Sequence, residues 1–127
     1  MKTFYPKNQP SIPGDIEKMS KKLQSKHKMV VKPNTKMYVS GQIDLAIQKG
    51  VISPDDKKTA AAALFTAGKI GAEKYGKNTI QIRDIQKTWD SIKMGPGNCP
   101  PHECLFSTVI SRKEDFGSKF PDFEELM

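Results

Sequence analysis

In 127 residues the chain has only two cysteines, two histidines, two arginines and one tryptophan. Each scarcity closes off a class of protein. Cys99 and Cys104 share one loop; two thiols are too few for a disulfide scaffold and suit a reducing compartment. Two histidines, with no glycine-rich phosphate loop and no nucleophile motif, leave no assembled acid, base or nucleophile. No enzymatic activity, cofactor or small-molecule substrate is therefore expected. Asp55 and Asp56 are paired carboxylates, but their place in SPDD makes them helix-start residues. No apolar run approaches the roughly 20 residues that cross a bilayer. The longest, AAAALFTA at 60–67, soon meets Lys69, and MKTFYPKNQP has prolines where a signal peptide needs its apolar region. The expectation is a soluble intracellular protein with no membrane partner, whether cytoplasmic, nucleoid or nuclear, or within a virion.

Lysine, by contrast, is abundant and unevenly spread. Residues 1–38 hold nine lysines against Asp15 and Glu17, a balance equal to the +7 of the whole chain. Residues 39–113 are mildly basic, and residues 114–127 set Lys119 against five acids. This divides the chain into a basic extended or helical N-terminal arm (1–38), a helical body with one C-terminal strand (39–113) and an acidic aromatic tail (114–127). Lys18, Lys21, Lys22, Lys26, Lys28, Lys32 and Lys36 recur with no acid between Glu17 and Asp44. Such blocks neutralise phosphate and release counterions, which makes binding salt-sensitive and blind to sequence. The arm has no arginine, the residue whose planar fork most often reads base edges, so positioning on a phosphate backbone is expected rather than recognition. A solvated lysine face that keeps the chain soluble would have the same composition.

Hydrophobic periodicity predicts a mainly α fold, a small three- to four-helix body with a minor hairpin or strand. Ile16, Met19, Leu23 and Val30 share one face of a helix beginning near Asp15, and residues 1–14, with three prolines, read as extended. Val30–Val31 and 37–39 flank KPNTK, whose Pro-Asn predicts a hairpin turn. Ser40 is placed at the start of a helix running to Lys49, with Ile43, Ala46 and Ile47 inward and Gly50 at its stop. Ser53, Pro54, Asp55 and Asp56 form a strong start signal for a helix that ends at Gly76. Its alanines, Gly68 and Gly71 leave room for another element to approach closely. Ile82, Ile85, Trp89 and Ile92 predict a third helix ending near Lys93, with Trp89 in the core. GPGNCPPHE is a loop, CLFSTVIS at 104–111 reads as a strand, and FPDFEELM closes as a helical turn.

The stretch GKNTIQIRDIQKTW at 76–89 resembles the loop and last helix of the histone fold, and a short helix before a long one at 54–75 extends the resemblance over about 50 residues. It implies that Lys77, Asn78 and Thr79 lie at a phosphate-facing loop. The middle helix is about two turns short for a histone pair, and no site residue is taken from the resemblance.

Cys99, His102 and Cys104 have part of a zinc spacing, but Pro100 and Pro101 stiffen the loop and no second Cys/His pair supplies a fourth ligand, so no metal is expected. Phe116, Phe120, Phe123 and Leu126 recur at spacings of four, three and three among acids. That pattern fits a segment laid in a partner's groove, and it fits equally a segment packed on its own body. The reading that follows is a non-enzymatic, architectural binding component of a larger assembly such as a virion or nucleoprotein particle. It docks on other subunits or nucleic acid through arm and tail. The alternative is a free, sequence-nonspecific nucleic-acid-binding accessory or regulatory protein.

Overall fold

The computed structural model describes residues 14–92 and 106–127. The extended reading of residues 1–13 and the loop holding Cys99, His102 and Cys104 lie outside the described residues. The described part is mainly helical with a minor sheet: α1 (Gly14–His27), β1 (Val30–Val31), α2 (Pro33–Gln48), a 3-10 turn (Pro54–Asp56), α3 (Lys57–Lys74), β2 (Thr79–Ile80), α4 (Ile82–Ile92), α5 (Phe106–Ser111), α6 (Lys113–Lys119) and α7 (Pro121–Leu126). No helix among the described residues is long and apolar enough to cross a membrane.

The centre is α3. Every residue from Thr59 to Lys69 is buried, so this helix has no solvent face along those turns. A helix apolar all round must be surrounded, and α1, α2, α4, α5, α7 and β2 all pack on it. Its start is the signal read from SPDD. Ser53 Oγ accepts from the Asp55 N–H at 3.1 Å, and Asp56 Oδ2 accepts from the Ser53 N–H at 3.2 Å. Its end is Gly76 at φ +69°, in the left-handed region that ends helices, with the Lys77 N–H donating to the Ala72 carbonyl at 2.9 Å. Close approach explains Gly68 and Gly71. A β-carbon on Gly68 would lie 2.5 Å from Ile80 Cγ2, and one on Gly71 would lie 2.7 Å from the Asp84 carbonyl oxygen. Those glycines let α4 seat Ile85 and Trp89 against α3, where both are buried.

Three local expectations are corrected. Residues 33–36 are not a hairpin turn, and α2 does not start at Ser40: it starts at Pro33, whose missing N–H and fixed φ suit the first helical position as well as they suit a turn. Val30–Val31 is a strand, but its partner is Thr79–Ile80, in parallel, with Val30 opposite Thr79 and Val31 opposite Ile80. Parallel pairing needs a crossover, which α2 and α3 supply. Strand alternation then buries Val31 and leaves Val30 exposed, the reverse of Val30's helical placement. Finally, residues 106–111 are helical, not a strand.

Both segments read as arms belong to the core from Gly14 onward. Ile16, Met19 and Leu23 of α1 join the same buried cluster as Val109, Phe116, Phe123 and Leu126 of α5–α7. Phe116 meets Phe120 and Phe123 with both ring centroids at 4.9 Å, the second edge-on.

Candidate nucleic-acid interface

With Ile16, Met19 and Leu23 turned inward, helical geometry turns Lys18 and Lys21 outward and puts Lys22 and Lys26 on one flank, four residues apart. The helix ends on Lys28 at φ +58°, the only non-glycine residue with positive φ among the described residues. The Met29 N–H closes this turn by donating to the Leu23 carbonyl at 3.0 Å. Glycine occupies the same left-handed position at Gly50 and Gly76, after α2 and α3. A lysine there costs about 1 kcal/mol in backbone strain. Lys32 follows β1 at the head of α2.

The seven candidate lysines divide into two sets. Lys18, Lys21, Lys26, Lys28 and Lys32 are exposed and have no ion-pair partner among the described residues. Lys22 and Lys36 are committed: Lys22 Nζ donates to the Glu125 carbonyl oxygen at 2.8 Å, and Lys36 Nζ pairs with Glu17 Oε1 at 3.2 Å. Sequence reasoning missed Lys58, at the start of α3, which lines a notch of about 100 Å³ with Lys18, Lys22 and Asp15. It belongs to the body by position, and only the packing of α1 on α3 brings it to the same surface.

The acidic C-terminus borders this surface. Glu125 Oε1 lies 2.6 Å from His27 Nε2, and Asp122 Oδ2 accepts from Lys69 Nζ at 3.1 Å. Lys69 is buried in α3 and also pairs with Glu73 at 2.8 Å. Burial opposes its charge, but the hydrogen bonds to Glu73 and Asp122 outweigh it and raise its pKa above the ordinary lysine value. His27, Asp122 and Glu125 each bring one potential metal-ligating atom within 4.8 Å of one another. His27 and Glu125 already bond to each other, and Asp122 already accepts from Lys69. The cluster acts as a latch holding α7 on α1 and α3.

Phe116, Phe123 and Leu126 are buried, and Phe120 packs against the same core. Of the two readings of their spacing, packing on the protein's own body is the one observed, because α5–α7 cover α3 and α1. Lys77, implied by the histone resemblance to face phosphate, instead donates to Asp84 Oδ1 and Oδ2 at 2.8 and 2.9 Å. Asp84 is buried and also accepts from the Gln81 N–H at 2.9 Å, so Lys77 compensates an interior charge. No family model, curated protein or solved structure matches this chain.

Proposed function

We propose that the protein is a non-enzymatic component of a nucleoprotein assembly that holds the phosphate backbone of nucleic acid on the lysine surface of α1 and the segment through Lys32. The observation that carries this reading is the division of the lysines. Lys36, Lys69 and Lys77 are held by carboxylates, and Lys22 by the Glu125 backbone carbonyl. On this surface five exposed lysines have no ion-pair partner among the described residues, and one of them, Lys28, keeps a backbone conformation suited to glycine. Strain retained on a charged side chain favours a use for that charge beyond solubility. Docking through tail aromatics is no part of the proposal, since burial in the core already accounts for Phe116, Phe123 and Leu126.

Five lysines on five phosphates give a steep salt dependence. Affinity for a duplex of any sequence is expected to fall roughly 500-fold between 50 and 200 mM monovalent salt. Fluorescence anisotropy across that range, on two duplexes of unrelated sequence, tests it. A slope near zero, or a strong preference for one duplex, would contradict the reading.

A further inference from the structure

The parallel strand pair joins the lysine surface to a second basic feature. The Val30 N–H donates to the Asn78 carbonyl at 2.8 Å, which sets the chain between Lys28 and Lys32 beside the loop between α3 and α4. Beyond that loop opens a cleft of about 280 Å³ lined by Tyr75, Lys77, Arg83, Asp84 and Lys87. Its one acid among the described residues, Asp84, is neutralised by Lys77 at 2.8 Å. Arg83 and Lys87 lie four residues apart on one face of α4, exposed, with no ion-pair partner among the described residues. The cleft is therefore cationic.

Its wall is an aromatic ring that the fold does not use. Tyr75, at the C-terminal cap of α3, is 59% exposed, more than any other large apolar or aromatic side chain among the described residues. The Lys87 ammonium lies 5.9 Å from the ring centroid, within reach of a cation–π contact, yet most of the residue remains open. An exposed ring beside a guanidinium and an ammonium is the local chemistry of single-strand binding: every base has a π-face to stack, and its phosphate needs a cation nearby. A base inside a duplex offers no free face.

We infer that the Tyr75–Arg83–Lys87 cleft is a stacking subsite for one unpaired base of a single-stranded nucleic acid, whose adjoining phosphate is held by Arg83 and Lys87. The inference deepens the proposed phosphate-binding function: the strand would run from the lysine surface past the strand pair into the cleft. It therefore specifies single strands as the preferred ligand.

Two probes separate the subsite from the lysine surface: an oligothymidylate of about ten nucleotides, and an abasic strand of equal length with the same phosphates. The intact protein should bind oligothymidylate roughly tenfold or more tightly than the abasic strand. Tyr75→Ala should erase that difference and leave abasic binding unchanged, while Tyr75→Phe keeps it. Because Tyr75 is exposed, both variants should melt like the parent. Changing the five free lysines to glutamine should weaken both probes alike. If those lysines prove silent while Tyr75→Ala still acts, the lysine-surface reading fails and the subsite stands. If the parent binds both strands equally, or neither, or if Tyr75→Ala costs nothing on oligothymidylate, the subsite is overturned. Tight binding of free thymidine monophosphate, with no gain from a longer strand, would also overturn it in favour of a mononucleotide pocket.

Discussion

The segment through α1 and the segment through α6 and α7 carry opposite charge, yet each spends its apolar residues in the same way. In both, apolar residues at helical spacing go into or against the core around α3: Ile16, Met19 and Leu23 from one side, Phe116, Phe120, Phe123 and Leu126 from the other. They differ in what happens to the charge left outside. On the C-terminal side, Asp122 and Glu125 are drawn into contacts with Lys69 and His27, while Glu114 and Glu124 stay exposed without an ion pair among the described residues. On the N-terminal side, among the described residues, Lys36 pairs with Glu17 and Lys22 donates to a backbone carbonyl, while five lysines have no ion pair. A charged, sparsely apolar terminus can thus be structural or available for binding, and the pairing of its charges separates the two better than its composition does.

The largest expected effect tests the structural half of that comparison. Phe116→Ala removes a fully buried ring in contact with Phe120 and Phe123, and should cost about 3–5 kcal/mol. A melting temperature lowered by roughly ten degrees or more would follow. An unchanged melt would show that the tail is not part of the core.

Next in size is Lys69→Met, which leaves Glu73 and Asp122 without their cation and should cost about 1.5–3 kcal/mol at neutral pH. The pH dependence has a definite sign. The folded pKa of Lys69 is raised, so its stabilisation is complete below the unfolded lysine value of about 10.4 and is lost as pH rises through the folded value. Denaturant melts above pH 10 should therefore show the parent losing more stability than Lys69→Met. Parallel losses would place the raised pKa elsewhere.

A smaller effect sharpens the contrast, because its two readouts move in opposite directions. Lys28→Gly relieves a left-handed lysine and should stabilise the fold by about 1 kcal/mol. It should also flatten the salt dependence of nucleic-acid binding by about one phosphate contact. Greater stability with an unchanged slope would take Lys28 out of the interface.

Much of the scaffold was legible because its signals are local. Ser53 and the acids after it mark the start of α3, Gly50 and Gly76 mark left-handed stops, and Gly68 and Gly71 mark the close approach of α4. Where a local signal has two structural uses, sequence reasoning chose wrongly. Pro33 serves a turn or a first helical position equally, and no side chain caps α2 to distinguish them. Thr108, Val109 and Ile110 favour a strand by their branching, but the segment folds as a helix against α3. The spacing of Phe116, Phe120, Phe123 and Leu126 identifies an apolar face without saying what covers it. The candidate lysines were visible as a set; which of them are spent was not, because His27 and Lys22 meet Glu125 across about a hundred residues. Tyr75 went unnoticed for a similar reason, since no periodicity marks a ring left outside the core.

The central claim is that the unpaired lysines, not the total charge, hold nucleic acid. It is tested most directly by comparing two glutamine variants by anisotropy from 50 to 200 mM salt. In one, Lys18, Lys21, Lys26, Lys28 and Lys32 are replaced; in the other, only Lys22 and Lys36. The first should lose most of the salt slope while melting like the parent, and the second should keep the slope while losing some stability. Equal slopes per lysine removed in the two variants, or no change in the first, would contradict the account.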